Sequence, residues 1–112
     1  MSGKGGTGCP IGEEAMTLFV ALVNWTDQGI RTVQRSPARF DEAKAELEAM
    51  GGRILHLFMT MGPYDLVVVY ETPDDAIAAR WTLQLVSRGN VRTLTMKAYP
   101  EAAYREIVGA LG

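Results

Sequence analysis

A chain of 112 residues, 47% apolar and 21% charged, has room for one hydrophobic core, which excludes separate catalytic and regulatory domains on the same polypeptide. Eleven Lys plus Arg against thirteen Asp plus Glu leave a formal charge of -2; no basic run suits a nucleic acid, and no apolar stretch approaches the ~18 residues of a membrane span. The single cysteine, Cys9, forms no internal disulfide and suits a reducing cytoplasm, the expected location.

Residues 1–15 are glycine-rich and lack apolar periodicity. They read as a flexible leader or non-native extension, with one domain expected over 16–112. The string Gly3, Lys4, Gly5, Gly6, Thr7, Gly8 has the composition of a phosphate-cradling loop. However, Cys9 and Pro10 stand where Lys and Ser/Thr are required, and no strand precedes it, so nucleotide binding is not expected.

Thr17 to Trp25 is β-branched and apolar, a first strand. Thr26 to Gly29 are turn residues, and Ile30 with Val33 anchors a short helical turn. Ser36 as N-cap and Pro37 in the first turn open the first main helix. Its stripe is Phe40, Ala43, Leu47 and Met50, and Gly51 with Gly52 supplies the stop. Arg53 to Met61 is a second strand, Gly62 to Asp65 a tight turn, and Leu66 to Glu71 a third strand. Thr72 caps and Pro73 opens the next helix, which runs to about Arg88 with Ile77, Trp81 and Leu85 on its core side. Gly89 and Asn90 end it. Val91 to Tyr99 is a fourth strand, and Pro100 opens a terminal helix carrying Tyr104, Ile107, Val108 and Leu111.

The order β α β β α β, then α, predicts an α+β ferredoxin-like fold: a four-stranded antiparallel sheet with both main helices on one face and an extra C-terminal helix. Strands one and three, apolar at almost every position, belong in the centre. The helices are expected to cover the side of Leu55, Leu57, Met59, Leu94, Met96 and Ala98. The opposite side, with Ile54, His56, Phe58, Thr60, Thr93, Thr95 and Lys97, is left bare. Covering it with the same face of a second copy predicts a homodimer or larger assembly, sheet against sheet.

The runs Leu22-Val23-Asn24-Trp25-Thr26-Asp27-Gln28-Gly29-Ile30-Arg31, Thr60-Met61-Gly62-Pro63-Tyr64-Asp65 and Gly89-Asn90-Val91-Arg92-Thr93 resemble the GYD domain family over essentially all of 16–112. The resemblance implies the dimeric α/β-barrel form of the fold and no particular activity. The Gly62, Tyr64, Asp65 turn followed by an apolar strand is also similar to the ligand-sensing domains of feast/famine regulators, but no DNA-binding helix-turn-helix is attached.

Five residues are candidates for a ligand site: Asn24, His56, Tyr64, Asp65 and Lys97. Asn24 and Lys97 are expected to share a cavity rim with His56, the only histidine, between the facing sheets. Asn24 and His56 are also the candidate catalytic residues, by analogy with cofactor-independent oxygenases of this barrel class. Each has a structural counter-role: His56 packs at the interface, Asn24 ends a strand, Asp65 caps turn amides, Tyr64 covers an edge, and Lys97 guards an edge strand. With one histidine and one cysteine, no metal or cofactor is expected. The leading expectation is a homodimer that binds or senses a small, partly apolar molecule. An oxygenase-like or isomerase-like enzyme and a structural assembly subunit are the alternatives.

Overall fold

The computed structural model of the chain describes residues 16–112. The expected leader, with the Gly3 to Gly8 string and Cys9, lies outside the described residues. The elements are β1 (Thr17–Trp25), α1 (Asp27–Arg31), a 3-10 turn (Val33–Arg35), α2 (Ser36–Ala49), β2 (Arg53–Met59), β3 (Leu66–Thr72), α3 (Asp75–Ser87), β4 (Val91–Ala98) and α4 (Glu101–Gly109). The strands pair antiparallel in the order β2-β3-β1-β4. This is the ferredoxin-like arrangement with a C-terminal helix, and the two most apolar strands, β1 and β3, are central. No helix among the described residues is long and apolar enough to cross a membrane.

Local chemistry explains where boundaries depart from expectation. The expected turn at Thr26 closes into α1 because the Thr26 hydroxyl accepts from the Gly29 amide at 3.1 Å, satisfying a first-turn donor. Ser36 does not cap α2; it sits inside the helix and its hydroxyl accepts from Trp25 Nε1 at 3.2 Å. Asp74, not Thr72, caps α3 by accepting from the Ile77 amide at 2.9 Å. Thr72, fully buried, donates to the Asp74 carbonyl at 2.6 Å. Gly51 stops α2 with φ of 91°, a left-handed conformation in which other residues are strained.

The core lies between the sheet and α2 with α3. Phe19, Ala21 and Val23 of β1 and Val68 and Tyr70 of β3 meet Ala43, Leu47, Ala78 and Trp81 from the helices. Tyr70 stacks on Phe19 at 5.4 Å and meets Trp81 edge-on at 4.8 Å between ring centroids. Trp81 Nε1 donates to the Ala43 carbonyl at 2.8 Å, tying α3 to α2.

Two face assignments are corrected. On β4, Thr93, Thr95 and Lys97 stand opposite the buried Val23, Ala21 and Phe19, so they share the helix side. Leu94, Met96 and Ala98 lie on the open side. On β2, a bulge between Ile54 and His56 adds one residue and reverses the alternation. Ile54 therefore packs against the core while His56 and Phe58 point to the open side with Val69 and Val67, their partners on β3.

Candidate functional site

The open side is formed by Leu18, Val20, Leu22 and Asn24 of β1, Val67, Val69 and Glu71 of β3, Arg92, Leu94, Met96 and Ala98 of β4, and Arg53, His56 and Phe58 of β2. None of them is buried; Leu94, Met96 and Phe58 are 50%, 44% and 55% exposed. Arg53 and Glu71 pair at 2.9 Å near one end of this face, and His56 stacks on Phe58 at 5.9 Å. The centre is aliphatic.

Asn24, Tyr64 and Asp65 come together at the other end. One Asp65 carboxylate oxygen accepts from the Trp25 amide at 3.0 Å and from Asn24 Nδ2 at 3.3 Å, and Asn24 Nδ2 also donates to the Pro63 carbonyl at 3.0 Å. The Asp65 amide donates to the Val23 carbonyl at 2.9 Å, and the Thr60 amide donates to the Asp65 carbonyl at 2.8 Å. The Thr60 hydroxyl donates to the Tyr64 carbonyl at 2.6 Å. Asp65 thus ties the ends of β1, β2 and β3 through main chain and side chain. Asp65→Ala removes a charge-assisted bond to a backbone amide and is expected to lower stability by about 2 kcal/mol. Urea denaturation reads this directly; an unchanged midpoint would show that the backbone bonds alone hold the turn.

The five candidate residues do not form one site within the chain. His56 stands opposite Val69, which stands opposite Val20; Asn24 is four residues further along β1, so the two are ~13 Å apart along the strands and ~10 Å across them. Lys97 is on the other face, where its ammonium lies 3.5 Å from Asp75 in the first turn of α3.

The motif around Gly29 and the motif around Asn90 form one strap. The Thr26 amide donates to the Asn90 carbonyl at 3.0 Å, and the Thr26 hydroxyl donates to the Gly89 carbonyl at 2.5 Å. Gln28 Nε2 bonds both the Arg88 carbonyl and Asn90 Oδ1 at 3.0 Å. Gly29 is buried, and a Cβ there would run into the Asn90 carbonyl oxygen. Two segments about sixty residues apart are thereby held against each other at the start of β4.

Sequence reasoning missed Tyr70. Its side chain is fully buried, and its hydroxyl has no close hydrogen-bond partner, only the more distant Thr82 and Thr95 hydroxyls. Burial pushes its pKa above the ordinary phenol value, with the neighbouring Thr82 and Thr95 hydroxyls pulling the other way. A buried hydroxyl with only long hydrogen bonds recovers little of its desolvation cost. Tyr70→Phe, which keeps the ring packing, is expected to stabilise the purified chain by about 1 kcal/mol, seen as a rise in Tm; a fall in Tm would show that the hydroxyl is paired in solution.

The terminal helix α4 contributes no buried residue. Tyr104, Ile107 and Val108 follow helical spacing along it, Leu111 lies in the turn just after it, and all four are exposed, an apolar stripe without a partner among the described residues. Among those residues no three His, Cys, Asp or Glu side chains gather in a way that could hold a metal ion.

Comparison with known proteins matches the GYD domain model to residues 19–108. A relative from Thermus thermophilus, described as a glutamine synthetase and cystathionine beta-lyase binding protein, is 42% identical over 88 residues, which is 78% of this chain and 93% of the relative.

Proposed function

The chain belongs to the GYD domain family, and on that premise we propose that it is a homodimeric binding protein whose partners are enzymes of amino-acid metabolism. The observation that carries this reading is the 42% identity to a protein named for binding glutamine synthetase and cystathionine beta-lyase, over nearly the whole of that protein. Two bare apolar surfaces on the chain support it.

The open side of the sheet is the self-association surface. Four strands at ~4.8 Å spacing, each about seven residues long at ~3.3 Å, give a footprint on the order of 400 Å². That is large for an apolar patch left to water. Two such faces brought together recover on the order of 10 kcal/mol before association costs. The face can pair with its own copy because its aliphatic centre is flanked by both signs of charge, Arg53 and Arg92 against Glu71.

With the sheets closed, the stripe on α4 remains as the surface offered to an enzyme, a helix presenting anchors at i, i+3 and i+4, extended by Leu111 in the following turn, to a groove. Light scattering should give twice the chain mass. Immobilised protein should capture glutamine synthetase or cystathionine beta-lyase purified from its own host, and Ile107→Asp should abolish capture while leaving the dimer intact. A monomer would overturn the assembly, and absence of binding to both enzymes at micromolar concentration would overturn the partner assignment.

A further inference from the structure

The open side of the sheet carries one side chain of the type that changes charge near neutrality. His56 is the only histidine of the chain, and histidine titrates between about pH 5 and pH 8. It is exposed, stands opposite Val69 and stacks on Phe58 with ring centroids 5.9 Å apart. The bulge between Ile54 and His56 puts it there. Without the extra residue the alternation of β2 would send it to the helix side.

Among the described residues, the charged groups around His56 are engaged or remote. Glu71, two residues along β3 from Val69 and so about 7 Å away, pairs with Arg53 at 2.9 Å. Asp65 lies ~13 Å along the strands in the other direction, and its carboxylate accepts from the Trp25 amide and Asn24 Nδ2. Arg92 is on β4, the far edge of the sheet, ~14 Å across the strands. The terminal helix α4 leaves from that same far edge; its Glu101 and Arg105 pair with each other at 2.8 Å, and it also carries Glu106. Lys97 belongs to the helix side, bound to Asp75. The nearest side chains on the open face are Val20, Val67, Val69 and Phe58. In a single chain an imidazolium here keeps its water and the face of the Phe58 ring, but no free carboxylate stands beside it.

We propose that His56 is a pH switch on the sheet-to-sheet dimer, neutral when two copies are closed together and driving them apart when it is protonated. The switch rests on the open side being the self-association surface. Closing two such faces moves both His56 side chains from water into an aliphatic centre, which disfavours the charged ring unless a carboxylate pairs with it. The dimer is therefore tightest where His56 is neutral in the free chain, and weakens as the pH falls through the free chain's titration. The weakening stops once the dimer itself takes up the protons. Two protons bound for each dimer parted raise the dissociation constant by up to about 100-fold per pH unit. In acid the protein then offers an enzyme one α4 at a time instead of two joined together.

Sedimentation equilibrium of the full chain at about pH 8 and about pH 5.5 tests the switch. The wild type should be dimeric at the higher pH, with a dissociation constant on the order of 100-fold larger at the lower. His56→Gln, which cannot take up the proton, should be an equally tight dimer at both, which also separates dissociation from acid unfolding. Glu71→Gln should keep the acid response of the wild type. A wild-type dimer that is indifferent to pH or tightens in acid would overturn the switch and leave the dimer standing. So would a response that persists in His56→Gln or disappears in Glu71→Gln. A chain that is monomeric even at about pH 8 would instead overturn the dimer, and the switch with it.

Discussion

Val69→Glu is expected to turn the proposed dimer into a monomer at micromolar concentration. Val69 sits in the middle of the open side, flanked by His56 on β2 and Val20 on β1, and is not buried within its own chain. A carboxylate there stays hydrated in the monomer, so the fold should persist with an unchanged far-ultraviolet spectrum. In the dimer each copy would bury an unpaired charge against the other's aliphatic centre. Such a charge costs several kcal/mol, and even about 4 kcal/mol in total weakens association roughly 1000-fold. Sedimentation velocity decides the matter: a variant that stays dimeric would place the interface elsewhere.

Gly29→Ala is expected to be the most destabilising single-methyl change in the described chain. The added carbon meets the Asn90 carbonyl oxygen, which is already accepting from the Thr26 amide, and Gln28 holds the same turn at two further points. Neither segment can retreat without breaking the strap. A loss of about 3 kcal/mol follows from overpacking of this kind, or about 15 °C in Tm for a domain of this size. Gly62→Ala is the control, because a Cβ there meets nothing within 4 Å. Equal melting of the two variants would show that the strap yields.

The strand order was legible because β1 and β3 are apolar on both faces at nearly every position whereas β2 and β4 are interrupted by polar residues, the mark of central against edge strands. The faces of the edge strands were not. Leu94, Met96 and Ala98 are more apolar than Thr93, Thr95 and Lys97, and a pattern argument gives the more apolar side to the chain's own helices. Here that side is the one left bare. On β2 the bulge at Leu55 shifts parity with no glycine or proline to mark it. The cluster at Asn24, Tyr64 and Asp65 was half legible: the turn pointed to Asp65 as an amide cap, but the amide it reaches belongs to Trp25, forty residues away in sequence. Tyr70 was hidden because the fate of its hydroxyl depends on Thr82 and Thr95, which only folding brings near it.

The terminal helix joins the rest of the chain through Tyr99 and Pro100, and none of its own residues is buried. On the proposed reading of α4 as the enzyme-binding surface, folding and recognition can therefore diverge at different rates. Grafting the last dozen residues of one family member onto the body of another should redirect which enzyme is bound without asking the recipient to solve its folding problem again.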